Sequence, residues 1–167
     1  MAGELTLKPI GIIHSPFTVE EGTPIQPSLA GGARGWVEVF PEFEAGLDDL
    51  EGFERVWLVY IFDRAGEERL KVIPYLDSRE HGVFATRAPC RPNRIGFSCV
   101  RLLGRNGPRL EIGDIDVLDN TPLVDIKPYI PGFDSFPEVK TGWLDRPLPK
   151  KMGADSRFAG KNESSDK

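Results

Sequence analysis

The chain has 167 residues, 40% of them hydrophobic and 28% charged, with a formal net charge of -5. That size and balance suit one globular domain with a core of its own and exclude a wholly disordered chain. No apolar run reaches the roughly 18 residues of a membrane span, and the first residues lack the basic-then-apolar pattern of a secretion signal. Cys90 and Cys99 fit neither a redox nor a zinc spacing, so two reduced thiols in a cytoplasmic protein, without metal, are expected. With 18 Gly and 15 Pro, short elements and many turns should replace long helices.

In chain order, LTLKPIGII (5–13) is rich in branched side chains and reads as a first strand, closed at His14-Ser15-Pro16. Residues 18–35 are polar and rich in Gly and Pro, a long loop of the kind that is usually functional or mobile. GWVEVF (35–40) alternates as a strand does, and FEAGLDDLEGF (43–53) spaces Phe43, Leu47 and Leu50 as a short helix would. The eight-residue apolar run RVWLVYIF (55–62) predicts a central strand buried on both faces. LKVIPYL (70–76) is a strand interrupted at Pro74, and an extended piece follows over 82–86. IGFSCVRLLG (95–104) and RLEIGDIDVLD (109–119) flank Asn106-Gly107 as a hairpin, and LVDIKPY (123–129) is a further strand. Past Lys150 the sequence is small, polar and charged, which predicts disorder. The fold class that follows is mainly β, a single-domain antiparallel barrel with few short helices.

Charge is unevenly laid out. Residues 38–54 are acidic with no Lys or Arg, whereas residues 82–110 hold Arg87, Arg91, Arg94, Arg101, Arg105 and Arg109 and no Asp or Glu. Either these arginines form one cationic face, or they are scattered around the barrel and pair with the acidic segment; charge alone favours neither. The chain has no GxGxxG, no Walker A pattern and no GxSxG elbow, so a Rossmann site, a P-loop and a serine hydrolase are unsupported. Asp114, Asp116 and Asp119 lack the glycine and terminal Glu of a calcium loop.

What remains is a set of stiff polar stretches that packing alone does not explain: PIQP (24–27), FATRAPCRPNRIGFS (84–98) and DVLDNTPLVDIKPY (116–129). Proline fixes φ and lowers the entropy of a loop that must keep its shape. Together with PIGIIHSPF (9–17), and in this order, they resemble the TsaA-like family, whose best-known members are the TrmO-type tRNA methyltransferases. TRxPxRPNxIG at 86–96 is the most specific part of the match, joined by LDxTPxxDIKPY at 118–129.

The resemblance implies a β-barrel over residues 1–145, followed by the polar tail 146–167. It implies binding of S-adenosylmethionine outside the Rossmann class, a homodimer, and methylation of N6 of threonylcarbamoyl-adenosine beside the tRNA anticodon. By position it implies cofactor contacts from Pro24, Ile25 and Gln26, from Asp63 and Arg64, from Arg87 and Phe97, and from the turn Asp116, Val117, Leu118, Asp119, Asn120 and Thr121. The chemistry of an amine acceptor asks for a carboxylate base, with Asp119 and Asp125 as candidates. Arg91, Asn93, Arg94 and Lys127 are the expected contacts to tRNA.

Three positions depart from the family pattern: Asn120 replaces Gly, Arg94 replaces Pro and Ile25 replaces Arg. Asn tolerates positive φ, so the turn at 120 should persist. The loss of a cation at 25 keeps open methylation of a small molecule or another RNA, and the absence of an obvious catalytic base keeps open a binding module without catalysis.

Overall fold

A computed structural model describes residues 3, 5–147, 150–151 and 153–160. Six strands close a barrel: β1 (Gly11–His14), β2 (Arg34–Val39), β3 (Arg55–Ile61), β6 (Ile95–Asn106), β7 (Arg109–Gly113) and β8 (Thr121–Pro128). Around the barrel they run β1-β2-β7-β6-β3-β8, every pair antiparallel. β1 completes the circle by pairing Gly11–Ile13 with Leu123–Thr121. A two-residue hairpin, β4 (Lys71–Val72) and β5 (His81–Gly82), stands beside the barrel.

Alternation places Ile13, Val37, Val56, Leu58, Val100, Leu110, Ile112 and Leu123 inside the barrel, all fully buried. Each such side chain contributes roughly 1.5–3 kcal/mol of hydrophobic stabilisation. A smaller core of Val72, Val83, Ala88, Cys90 and Phe158, with Tyr75 packed against it, lies under the hairpin.

The barrel and the β6–β7 hairpin follow the sequence reading; several elements differ. The first strand is short: Leu5 and Leu7 are exposed and pairing begins at Gly11. The expected helix over 43–53 is two 3-10 turns, Pro41–Leu47 and Leu50–Gly52, separated by Asp49 at φ 67, which no α-helix accommodates. β3 buries only Val56, Leu58 and Tyr60; its other face is half-covered, because a barrel wall has one interior side. The strand after Asn106-Gly107 stops at Gly113, where Asp114 turns at φ 62.

The tail also differs from expectation. Residues 153–160 form a strap with a 3-10 turn at Ser156–Phe158, bridging Pro24 to Gly153 and Ala65 to Ala159. Phe158 is buried and explains the ordering: it supplies the small core with its aromatic side chain. The remaining residues of the expected tail, 161–167, lie outside those described.

Gly96 on β6 lies where a Cβ would meet the Tyr60 ring at 2.3 Å and Phe62 at 2.8 Å. Tyr60 is buried and cannot swing away. Gly96→Ala should therefore destabilise the protein by about 1–3 kcal/mol in urea denaturation. Gly104→Ala on the same strand, with nothing within 4 Å of the added carbon, should change stability little.

Candidate functional site

One end of the barrel opens into a cavity of about 620 Å³. Its floor is where β3 ends and β6 and β8 begin: Tyr60, Gly96, Phe97 and Thr121. Its walls are the loop before β2 (Glu20 to Gln26), the segment after β3 (Phe62 to Ala65), the proline-rich segment 84–93 and the turn 116–118. The strap completes the enclosure with Ala154 and Phe158.

Hydrogen bonds fix the shape of this end. Ser15 Oγ donates to the Val117 carbonyl at 2.6 Å, Ser15 N donates to Asp119 Oδ1 at 3.1 Å, and Asp119 N donates to the Phe17 carbonyl at 2.7 Å. Thr121 Oγ1 donates to the Leu118 carbonyl at 2.7 Å and receives Arg64 NH2 at 2.9 Å. Asn120 sits at φ 61, as expected of Asn in place of Gly. Arg87 NH1 donates to Gln26 Oε1 at 2.5 Å, and its guanidinium lies 5.0 Å from the centre of the Phe97 ring. Two stretches 61 residues apart are thereby tied across the mouth.

A buried polar chain runs into the barrel beneath. Tyr60 OH and Ser98 Oγ are 3.0 Å apart, and Ser98 Oγ donates to Asp116 Oδ1 at 2.6 Å. Burial pushes the Asp116 carboxyl up to about 7, although the Ser98 hydrogen bond and the Arg87 charge pull the other way. Burial, with the Asp116 charge second, raises Tyr60 well above the usual phenol range.

The strap is held as firmly as the turns. Gly22 N donates to the Ala154 carbonyl at 2.9 Å and Ala154 N to the Thr23 carbonyl at 2.7 Å. On its other side Gly66 N donates to the Phe158 carbonyl and Gly160 N to the Arg64 carbonyl, both at 2.9 Å. Asp155 accepts from Arg157 and Lys151, and those contacts, the Arg157 bond first, hold its carboxyl well below the usual range.

Of the residues named from the sequence, Pro24, Ile25 and Gln26 line the cavity, as do Asp63, Arg64, Arg87 and Phe97. So do Asp116, Val117, Leu118 and Thr121, and from the expected tRNA contacts Arg91 and Asn93. Five do not. Asp119 is occupied outside by Ser15, by His14 Nδ1 at 3.3 Å and by Asn120 Nδ2 at 2.8 Å, and Asn120 is exposed. Asp125 accepts from Ile126 N and pairs with Lys127 at 2.8 Å on β8. Both carboxylates named as candidate bases therefore stand outside the cavity, and Asp116 stands inside it. Arg94 turns the chain at φ 48, a value closed to proline, and its carbonyl receives Phe62 N at 2.8 Å.

The cavity also includes residues the sequence reading did not name. Tyr60 and Phe62 looked like core strand, and Tyr75, Ala154 and Phe158 lay outside the recognised motifs. The lone aromatic in the polar tail was the available signal for the strap. Among the described residues Arg105 alone of the six arginines pairs with the acidic segment. Arg105 pairs with Asp48 and Glu51 of the acidic segment, Arg101 with Asp114 and Arg109 with Glu111. Among the described residues Arg87, Arg91 and Arg94 form no ion pair, and no group of three or more His, Cys, Asp or Glu could hold a metal.

The family model for the tRNA-methyltransferase O N-terminal domain matches residues 12–135. The chain belongs to the TrmO family. TrmO from Pseudomonas aeruginosa, a solved structure, superposes with a TM-score of 0.74 at 42% identity, covering 88% of this chain and 66% of that one. A probable S-adenosyl-L-methionine-binding protein of Pyrococcus abyssi is 53% identical over 93% of this chain and 85% of its own length. The mouse tRNA (adenine(37)-N6)-methyltransferase is 38% identical over 80% of this chain, which spans 33% of the mouse protein. The TrmO match ends before the strap, so Ala154 and Phe158 are cavity residues beyond the matched domain.

Phe158→Ala should remove the aromatic plug between the small core and the cavity wall. A loss of about 3–5 kcal/mol is expected in urea denaturation. Unchanged stability would mean that the strap does not pack as described.

Proposed function

We propose that the protein is a methyltransferase that takes its methyl group from S-adenosylmethionine and places it on N6 of a tRNA adenosine beside the anticodon, in its threonylcarbamoyl form. The observation that carries this reading is the single cavity into which both proline-stiffened motifs, 86–96 and 116–122, converge. Its volume suits a nucleoside-sized ligand. The chemistry of its walls fits the donor as well. Ile25, Phe97 and Leu118 offer apolar surface to an adenine ring, and Arg64 and Arg87 offer guanidinium donors to the amino-acid carboxylate. The Pyrococcus and mouse relatives, by their names, support the donor and the acceptor respectively.

The donor is consumed as a substrate and arrives activated, because its sulfonium methyl is a good electrophile. The protein's share is alignment and exclusion of water. The Arg87–Gln26 tie and the Arg64–Thr121 bond hold the walls in register for that task. Arg91 and Asn93 at the rim suit the threonyl carboxylate and tRNA phosphates. Arg94 adds an unpaired charge nearby in sequence, whereas Lys127 is largely neutralised by Asp125. A cytoplasmic homodimer belongs to the same proposal; exposed Phe133, Phe136 and Val139 support a covered face in the assembly.

The test is incubation with labelled S-adenosylmethionine and total tRNA, followed by mapping of the label. Label on N6 of the adenosine 3′ to the anticodon is expected; donor binding without transfer to any RNA would overturn the reading. Arg87→Ala should weaken donor binding at least about tenfold by calorimetry, the cost of one charge-assisted bond. Arg91→Ala should weaken tRNA binding and reduce the slope of log affinity against log salt by about 0.7–1. An unaltered slope would place Arg91 away from the phosphates.

A further inference from the structure

We propose that Asp116, on the cavity wall, is the base that takes the proton from the acceptor nitrogen. The inference rests on the methyl-transfer reading above and assigns its missing catalytic group. Among the described residues three acidic side chains line the cavity: Glu20, Asp63 and Asp116. Asp63 is exposed and paired with Arg64 at 3.3 Å. Glu20 belongs to the loop wall, beside Thr23 and the strap. Asp116 forms no ion pair among the described residues and lies where the two motifs meet.

The polar chain beneath it has a fixed direction. Ser98 spends its one hydroxyl proton on Asp116 Oδ1, so it can only accept from Tyr60, and Tyr60 keeps its proton because burial raises it. Oδ1 is thus committed as an acceptor, and a proton arriving at Asp116 sits on Oδ2. Tyr60 cannot pass that proton inward, so it leaves to water by the cavity before the next turnover.

The step balances. The N6 lone pair forms the new bond to the methyl carbon, and the carbon–sulfur bond breaks with its electron pair going to sulfur. The N6–H proton passes to Asp116 Oδ2. A sulfonium cation and a carboxylate become a neutral thioether and a neutral carboxylic acid. The acceptor nitrogen is weakened by delocalisation into the purine and the carbamoyl group, which is why a base is worth having. A carboxyl raised to about 7 is half ionised at neutral pH and, once ionised, a far better base than an ordinary Asp. The other charged groups around the cavity are Glu20, Asp63, Arg64, Arg87 and Arg91, from the loop, the β3 end and segment 84–93. Arg87 is the one whose charge pulls the Asp116 value down.

Asp116→Asn keeps the size of the side chain and an oxygen for Ser98. Single-turnover transfer with saturating donor and tRNA should rise with pH in the wild type and level off above about 7. In D116N it should be slower by about a hundredfold or more and flat across that range, with donor affinity by calorimetry within about threefold. Denaturation supplies a readout independent of activity. A carboxyl at about 7 when folded and 3.8 when unfolded stabilises the wild type fully below about pH 4, and that stability is lost as pH rises through 7. D116N should lack this component.

Ser98→Ala removes a bond that favours the ionised form, so its rate inflection should move to higher pH while the plateau persists. That shift decides the matter if D116N does not fold. An active wild type with D116N equal in rate and pH profile overturns this proposal alone. So does a D116N whose rate loss matches its loss of donor affinity, which would make Asp116 a donor-binding residue. A wild type that transfers no methyl group overturns the parent reading and this proposal together.

Discussion

β1 pairs with β2 on one side and with β8 on the other, and this double pairing is what joins residues 11–14 to a segment more than 100 positions away. Only once the barrel is closed do His14 and Ser15 reach the 116–121 turn. Ser15 then bonds both Val117 and Asp119, and Phe17 bonds Asp119 from the backbone. The turn is held further by the bonds from Ser98 to Asp116, from Thr121 to Leu118 and from Arg64 to Thr121, and by the burial of Val117. A contact of such sequence separation carries a loop-closure cost that the rest of the barrel must offset. The cavity is therefore no more stable than the closure of the barrel, and a change in the short first strand is felt at a site it does not line.

Charge is divided between two jobs on the same chain. Arg101, Arg105 and Arg109 sit on the β6–β7 hairpin and are neutralised by Asp114, by Asp48 and Glu51, and by Glu111. Arg105 thereby ties the hairpin to the 3-10 turns of segment 38–54, whereas Arg101 and Arg109 pair with acids that follow β7 or lie on it. Arg87, Arg91 and Arg94 precede β6 and meet no carboxylate partner among the described residues. An overall negative protein thus keeps Arg87 and Arg91, without a carboxylate partner among the described residues, on the wall of its cavity, where their charge acts over distances shorter than the Debye length.

Much of this was legible in the sequence because the deciding features are local. Asn106-Gly107 fixes the β6–β7 hairpin, alternation fixes which side of each strand faces in, and the prolines of 86–96 and 116–122 mark the cavity walls. What escaped depends on contacts between distant segments. The spacing of Phe43, Leu47 and Leu50 suits a helix equally well until Asp49 is seen in a left-handed conformation. The motifs alone make Asp119 and Asp125 candidate bases, yet the bend at Asn120 and the register shift in β8, where Leu123 pairs Tyr60 but Asp125 pairs the outward Val59, leave both outside. Asp116 was read as a donor contact because nothing in its neighbourhood in sequence reveals Ser98 and Tyr60 beneath it. The strap was hidden by its composition: polar residues outnumber the one aromatic that orders it, and Gly66 and Gly160 permit backbone approaches that a Cβ would block at 2.7 and 2.9 Å.

Ile25, the departure from the family pattern that kept other substrates in play, has a different consequence once the cavity is assembled. It lies on the wall of the same cavity as Asp116. An arginine there would add a cation to a space that already holds Arg64, Arg87 and Arg91. A nearby positive charge favours the ionised carboxylate and lowers its proton affinity, as the Arg87 charge already does in part. An apolar residue at 25 does the opposite: it removes a charge and lowers the local dielectric. Arg64, Arg87 and Arg91 remain on the cavity wall to meet anionic ligands.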